Sequence, residues 1–221
     1  MTRSVARTAA LAMAIALVAG CAGTQVETIL STVGEEVTPP AASAAPPSAA
    51  ASACPTSQPE ALPAGQVRDV TVETELGSFV ITVEGALSPI AAANFVALAE
   101  CGYYDGVVFH RIVPGFVIQG GDPTGTGSGG PGYAIQDEPV TATYKRGVVA
   151  MARTREPNSQ GSQFFVVLDD AARGDLEAAN TYAIFGNVTV GMDVVDAIAA
   201  AADAQNPSDP VVMTRVIVGK P

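Results

Sequence analysis

One segment of the chain, Phe109 to Asp122, reads F-H-R-I-V-P-G-F-V-I-Q-G-G-D and combines a cation, an aromatic ring and an amide in one short stretch. Arg111 can donate several hydrogen bonds from a planar guanidinium, Phe116 offers an apolar surface, and Gln119 can hold a peptide backbone. A fixed donor, an apolar slot and groups that hold the backbone can stabilise a distorted state of a bound polypeptide without a nucleophile, a metal or a cofactor. The segment therefore indicates non-covalent chemistry.

Two nearby features suggest other chemistry, and we reject both. His110 is the only histidine in the chain and could act as a general base. The chemistry described above needs no base, so a structural role is favoured. Gly125 to Gly130 spells G-x-G-x-x-G, the pattern of dinucleotide-binding turns, but Pro131-Gly132 follows it instead of a helix and no βαβ unit surrounds it. We expect neither a cofactor nor a metal.

Several other motifs accompany this segment. They are T-G-T-G-S-G-G-P-G-Y (Thr124 to Tyr133), V-V-A-M-A-R-T-R-E-P-N-S-Q-G-S-Q-F-F-V-V (Val148 to Val167), and Y-A-I-F-G-N-V with G-M-D-V-V-D (Tyr182 to Asp196). E-T-E-L-G and N-F-V-A-L-A-E-C-G-Y-Y-D-G precede them. In this order the motifs resemble the cyclophilin family of peptidyl-prolyl cis-trans isomerases, and the resemblance extends over about residues 66 to 219.

This resemblance implies an activity and a set of site residues. Rotation about an X-Pro bond meets a barrier of about 18–20 kcal/mol from amide resonance, and a donor near the prolyl nitrogen lowers it. The resemblance makes Arg111 the catalytic guanidinium, with Phe116 and Gln119 beside it, and His110 a structural residue. It also implies a substrate-binding set: Val117, Ala152, Arg153, Gln163, Phe165, Leu176 and Tyr182.

The elements that position these residues are short. Alternating residues predict strands at Val70 to Leu76 and Phe79 to Glu84, and a strand from Val211 to Val218 closes the chain. Ser88-Pro89 provides an N-cap and a first helical residue for a helix that ends near Glu100, and a second helix is predicted from Met192 to about Ala202. Many short strands with a helix near each end suggest an antiparallel barrel with helical plugs. The resemblance implies a mainly β fold, a closed eight-stranded antiparallel β-barrel capped by two α-helices.

The chain departs from the family pattern on one side of the expected site. Val117 stands where the family often has Met, and Tyr182 stands where a His is common. The chain has no Trp, although many family members have one at the pocket rim. Asp169 to Thr181 carries an insertion, so the alignment of Leu176 stays open.

The N-terminus is typical of an exported lipoprotein. Arg3 and Arg7 precede an apolar core, which is followed by L-V-A-G-C ending at Cys21. We interpret residues 1–20 as a lipoprotein signal peptide and Cys21 as the lipidated first residue of the mature chain, on the cell membrane of a bacterium and outside its cytoplasm. The alternative is an ordinary cleaved signal that happens to contain a cysteine.

Residues 21–65 then form a predicted tether, and residues 66–221 form the predicted isomerase domain. The stretch from Thr38 to Ala53 is rich in Pro, Ala and Ser and cannot bury enough apolar surface to offset the entropy lost on ordering. We expect a disordered spacer between the membrane and the domain.

The charge of the chain restricts its partners. It carries 22 Asp and Glu against 11 Lys and Arg, and removal of Arg3 and Arg7 with the signal makes it more acidic still. Such a surface repels nucleic acid and anionic lipid headgroups. We expect X-Pro-containing unfolded or exported polypeptides as partners, a membrane only through the lipid anchor, no nucleic acid, and a monomer.

The remaining two cysteines, Cys54 and Cys101, allow two interpretations. In an exported protein they could form a disulfide that joins the tether to the first helix. Cys101 also lies on the apolar stripe of that helix, where a buried free thiol is natural, and we favour the free thiol.

Three functions compete. The favoured one is a prolyl isomerase that assists the folding of exported chains. The second is a low-turnover module that only binds proline-containing segments, against which the intact Arg111, Phe116 and Gln119 argue. The third, a solute-binding lipoprotein, fits the signal, but the domain is small and lacks two α/β lobes.

Overall fold

The computed structural model describes residues 53–220. The eight strands are β1 (Val67–Thr74), β2 (Gly77–Glu84), β3 (Arg111–Val113), β4 (Val117–Gly120), β5 (Val148–Met151), β6 (Phe164–Val167), β7 (Ile184–Val190) and β8 (Arg215–Val218). The helices are α1 (Pro89–Glu100), α2 (Arg173–Ala179) and α3 (Met192–Ala201), and a 3-10 helix (Asp170–Ala172) precedes α2. Within residues 53–220 no helix has the length and apolar character to span a membrane.

The strands form one antiparallel sheet in the order β3-β4-β6-β5-β7-β2-β1-β8. The prediction of a closed barrel is wrong, because the end strands β3 and β8 do not pair and the sheet forms a half-barrel. The outer edge of β3 is covered by coil instead, since Ile112 N donates to Gln205 O at 2.7 Å. Only the segments that precede the two strands meet, through the isolated bridge between Val108 and Val212.

The core follows from the residue pattern of the strands. In β2, Phe79, Ile81 and Val83 are buried while the residues between them face outward or are half-buried. Helix α1 packs against the sheet, and its Phe95 ring lies 4.8 Å from that of Phe185. The central strands β5 and β6 are buried along their whole length.

Helix α1 begins where Ser88 and Pro89 predict, but its cap is different. The Ser88 side chain makes no capping hydrogen bond. The carboxylate of Glu138 accepts hydrogen bonds from Ile90 N at 2.8 Å and Ala91 N at 2.9 Å. A negative charge at this helix end is favourable, and it comes from a distant part of the chain, which no local pattern reveals.

A third helix lies in the segment from Asp169 to Thr181, so the prediction of two helices is incomplete. The Asp169 side chain accepts a hydrogen bond from Ala171 N and starts the 3-10 turn that leads into α2. Asn180 ends α2 in the left-handed conformation with φ of 44°. Leu176 is the one buried residue of this seven-residue helix, which leaves no apolar periodicity to detect.

The segment before β1 is attached to the domain, although residues up to 65 were expected to belong to the tether. Cys54 and Cys101 form a disulfide, so the preference for a free thiol at Cys101 is wrong. Leu62 packs against the main core, and its N–H donates to Pro89 O at 2.9 Å. The sequence did not indicate this attachment, because contacts made by single residues such as Cys54 and Leu62 produce no periodic pattern. The signal peptide, Cys21 and the tether up to Ser52 lie outside the described residues.

Candidate active site

A tight hairpin brings Arg111 and Gln119 together. Strands β3 and β4 pair so that Arg111 lies opposite Gln119. The turn between them contains Pro114 and Gly115, and Gly115 has a φ of 70°, which a residue with a side chain rarely adopts. Arg111 Nη1 lies 3.4 Å from Gln119 Oε1 and donates to it. The two side chains that the first motif singles out are therefore direct partners.

The hydrogen bonds continue from Gln119 into the glycine-rich loop. Gln119 Nε2 donates to Gln163 Oε1 at 2.9 Å. Gln163 Nε2 donates to the carbonyl oxygens of Gly127 at 3.1 Å and Gly129 at 2.9 Å. Because carbonyl oxygens only accept hydrogen bonds, the side-chain amides of Gln119 and Gln163 each have one defined orientation. This polar chain, Arg111–Gln119–Gln163–Gly127/Gly129, fixes one side of the guanidinium.

Asp122 holds the glycine-rich loop in place. Its buried carboxylate accepts hydrogen bonds from Thr124 N at 2.7 Å, Gly127 N at 2.6 Å and Gly129 N at 3.0 Å. Burial opposes the charged form, but these hydrogen bonds outweigh it and lower the pKa of Asp122 to about 2. A side chain on Gly129 would collide with the carboxylate. The loop that receives Gln163 is thus built around one ionised group.

The sequence interpretation missed this role, although a signal exists. An Asp followed two residues later by Thr is typical of a turn in which the carboxylate accepts the backbone N–H two residues on. Thr124 also donates from its hydroxyl to Asp122 at 2.8 Å.

An apolar cluster lies beside the polar chain. Six of the predicted site residues belong to it. The buried ones are Val117, Phe165 and Leu176, and the half-buried ones are Phe116, Ala152 and Tyr182. Strands β4 and β6 pair Gln119 with Phe165, which brings the cluster against the polar chain. The half-buried members are the ones with surface to offer a ligand, while Leu176 supports them from inside α2.

The backbone of Tyr182 is held in place by a second tyrosine, Tyr144, which lies in none of the motifs. The ring of Tyr182 lies edge-on to Phe165, with centroids 5.4 Å apart. Tyr144 is fully buried and donates its hydroxyl to Tyr182 O at 2.8 Å, and Tyr182 N donates back to that hydroxyl at 3.2 Å. Burial raises the pKa of Tyr144 to about 12, so the hydroxyl stays protonated.

Arg153 is predicted to contribute backbone contacts, as is Ala152, and its side chain is engaged elsewhere. Its Nη1 lies 2.9 Å from Asp137 Oδ2, and its guanidinium also donates to the backbone oxygens of Thr154 and Glu156. The side chain is occupied by these contacts, so only its backbone is available to a ligand, together with that of Ala152.

His110 is buried beside Arg111, and neither ring nitrogen has a hydrogen-bond partner among the described residues. Burial lowers its pKa, and the charge of Arg111 acts in the same direction while Asp122 opposes it. The lowered pKa favours the neutral imidazole, and the ring makes no hydrogen bond to the polar chain.

The polar chain separates two open clefts. One, of about 460 Å³, includes Arg111, Gln119 and Gly127 in its lining. The other, of about 410 Å³, shares Gln119 and Gly127 and adds Tyr133 and Gln163. An extended polypeptide has room to cross the site. Among the described residues no group of three or more potential ligands could hold a metal ion.

Comparison with known proteins identifies the family. The family described as "Cyclophilin type peptidyl-prolyl cis-trans isomerase/CLD" matches this chain over residues 69–218. The chain belongs to the cyclophilin family. This cyclophilin is 39% identical over 163 residues to the peptidyl-prolyl cis-trans isomerase CYP18-2 of Arabidopsis thaliana, covering 71% of the chain and 95% of that protein.

Two further comparisons agree. The cyclophilin is 46% identical over 132 residues to the peptidyl-prolyl cis-trans isomerase-like 1 of Neurospora crassa, covering 58% of the chain and 78% of that protein. A crystal structure of a cyclophilin-type peptidyl-prolyl cis-trans isomerase from Cryptosporidium parvum superposes with a TM-score of 0.64 at 31% identity, covering 71% of this chain and 99% of that one. A crystal structure of the same protein in the presence of the dipeptide Ala-Pro gives a TM-score of 0.62. The chain is therefore a peptidyl-prolyl cis-trans isomerase of the cyclophilin type.

Proposed function

We propose that Arg111 is the donor that lowers the barrier to X-Pro rotation, and that the apolar cluster holds the proline ring. The observation that carries this proposal is the polar chain, which fixes Arg111 Nη1 on Gln119 beside Phe116 and Phe165. Within residues 53–220 the guanidinium makes no other hydrogen bond and no ion pair, so its remaining N–H groups are available to a ligand.

The mechanism is differential binding of the twisted peptide. As the bond rotates, resonance is lost, the prolyl nitrogen becomes pyramidal and its lone pair becomes an acceptor. A guanidinium held in advance donates to that lone pair more strongly in the twisted state than in either planar isomer. Gln119 and the backbone of Ala152 and Arg153 hold the flanking peptide groups. No covalent bond is made or broken.

A protease-coupled isomerase assay on a short X-Pro peptide tests this role. We expect Arg111→Ala to keep the fold and lose about 3 kcal/mol of transition-state stabilisation, a decrease on the order of 100-fold in kcat/KM. Arg111→Lys should recover little, because an ammonium lacks the planar fork. Arg215→Ala, at an exposed arginine on β8, serves as the control. Near-wild-type turnover by Arg111→Ala would overturn the proposal.

The second candidate function is a low-turnover module that binds proline-containing segments. The same assay distinguishes it from the isomerase. It predicts peptide binding without acceleration by the wild-type chain. The half-buried ring of Phe116 and the open clefts fit peptide binding in either case.

We propose further that the protein works outside the cytoplasm of a bacterium, lipid-anchored at Cys21, as a monomer acting on exported polypeptides. The disulfide between Cys54 and Cys101 supports this, because disulfides persist in oxidising compartments. The acidic composition argues against nucleic acid as a partner.

Membrane fractionation tests the anchor. We expect the wild-type chain in the membrane fraction and Cys21→Ala in the soluble fraction, because the lipid is the proposed attachment. Cys54→Ser is the matched control and should stay with the membrane. A Cys21→Ala chain that remains in the membrane fraction would contradict the proposal.

A further inference from the structure

A hollow of about 440 Å³ adjoins the apolar cluster on the side where α2 ends. Its lining consists of Arg153, Thr154, Arg155, Ala179, Thr181 and Tyr182. Tyr182 also belongs to the apolar cluster, and Arg153 and Thr154 also line one of the two clefts. The hollow therefore adjoins the candidate active site and shares lining residues with it, and none of its lining residues is acidic.

The two arginines of the hollow differ in how their charge is used. Arg153 is paired with Asp137. Arg155 is exposed, and within residues 53–220 its side chain forms no ion pair and no hydrogen bond. The chain as a whole carries twice as many acidic as basic residues. A free guanidinium next to the proline site is thus a local exception in an acidic molecule.

The other polar groups of the hollow can also bind an anionic ligand such as a carboxylate. Thr154 and Thr181 offer hydroxyl groups that can donate to an anion, and a guanidinium binds a carboxylate through two parallel hydrogen bonds. Ala179 is the last residue of the short helix α2 and Thr181 lies just beyond it, and both lie outside the motifs that resemble the family.

We propose that Arg155 selects substrates, binding in this hollow the carboxylate of an Asp or Glu that lies near the isomerised proline. The inference rests on the proposed function, because the hollow acts on the same bound polypeptide. A substrate carboxylate gains an ion pair with Arg155, whereas a lysine at the same place is repelled. Because the pair is exposed, the preference is modest and depends on salt.

A matched peptide series tests the proposal on the full chain. Each peptide contains one X-Pro bond and carries Glu, Gln or Lys at one position, scanned along both sides of the proline. At the position that reaches the hollow, we expect kcat/KM to fall in the order Glu, Gln, Lys, with a gain of about two- to five-fold for Glu over Gln at low salt. The gain should shrink at about 1 M NaCl, where the Debye length is roughly 3 Å.

Three variants locate the effect. Arg155→Gln should remove most of the difference between the Glu and Lys peptides, and Arg155→Glu should reverse the order. Arg215→Gln, at an exposed arginine on the edge strand β8 that does not line the hollow, should leave the difference intact. Equal rates for Glu and Lys peptides at every position, or a preference that survives Arg155→Gln, would overturn the proposal.

Affinities of the same peptides, measured by fluorescence anisotropy, separate this inference from the proposed function. Absence of turnover with every peptide would remove the catalytic role of Arg111. The order of affinities would still report on the hollow, since charge selection needs binding and not turnover.

Discussion

At the scale of single residues, Asp122 determines the shape of the site without facing a ligand. It is fully buried, yet it stays ionised because three backbone N–H groups of one loop point at it. That loop supplies the carbonyl oxygens on which Gln163 rests, and Gln163 in turn orients Gln119. An interaction that begins with a loop carboxylate therefore reaches Arg111 through two amides.

Asp122→Asn should destabilise the fold in a pH-dependent way. The pKa of Asp122 is lowered from 3.8 to about 2 in the folded chain, so its contribution is present above pH 3.8 and is lost as the pH falls through 2. The shift corresponds to about 2 kcal/mol. Urea unfolding should show that deficit at pH 7 and a smaller one near pH 2.

The exposed Asp209 provides the control, because Asp209→Asn removes the same charge without a hydrogen-bonded loop. Equal stability of Asp122→Asn and wild type at pH 7 would show that the loop does not depend on the carboxylate.

The three side chains of the polar chain could be predicted because each lies in a compact motif. Arg111 and Gln119 share one hairpin, and Gln163 immediately precedes strand β6, which pairs with β4 of that hairpin. Tyr144 and Glu138 could not be predicted in this way. Each acts on a segment far away in the sequence, and a lone Tyr or Glu carries no local pattern that indicates its partner.

At the scale of elements, the periodic segments were predicted well and the irregular ones were not. Strand β2 alternates clearly, and α1 and α3 begin at Pro89 and Met192 as predicted. The half-barrel was not foreseen, because the edge of β3 is covered by Gln205 from a coil that has no periodicity. Helix α2 was not predicted for a similar reason, because Leu176 is its only buried residue and the helix has no apolar periodicity.

The disulfide is the element-scale feature with the largest expected effect on stability. It closes a segment with a sequence separation of 47 residues between Cys54 and Cys101. Loss of that cross-link increases the entropy of the unfolded chain, so Cys54→Ser with Cys101→Ser should lower the free energy of unfolding by about 2–4 kcal/mol. Urea unfolding with and without reductant measures this difference.

Gln58→Ala is the matched control for the same segment, because it removes only the hydrogen bond from Gln136 N. Reductant should destabilise this control as much as wild type and should not affect the double variant. Equal stability of the double variant and wild type in oxidising buffer would contradict the expectation.

At the scale of the whole molecule, negative charge exceeds what local pairing can neutralise. Three ion pairs occur within residues 53–220, namely Arg146–Asp196, Arg153–Asp137 and Arg173–Glu177. Most of the acidic residues within this described range therefore form no ion pair there. Their mutual repulsion disfavours the compact state and favours solubility.

Salt should consequently stabilise the protein at neutral pH. Raising NaCl from about 10 mM to about 300 mM shortens the range of repulsion and should raise Tm by about 2–4 °C, equivalent to about 1 kcal/mol. Thermal unfolding followed by circular dichroism measures the shift. The same salt step near pH 4.3, the isoelectric point of the sequence, should have little effect. A Tm that falls with salt at pH 7 would show that ion pairs dominate over repulsion.

The outer edge of β3, which pairs with no other strand, has a consequence for how the site moves. Arg111 lies on a three-residue strand at the end of the sheet, whose outer side is held by a bond to coil and not by a neighbouring strand. Few backbone hydrogen bonds must break for such an edge to open, whereas β5 and β6 are enclosed on both sides. Protection of amide hydrogens from exchange should therefore be lowest next to the guanidinium and highest in the central strands. The strand that carries Arg111 is therefore expected to open locally without unfolding the central strands.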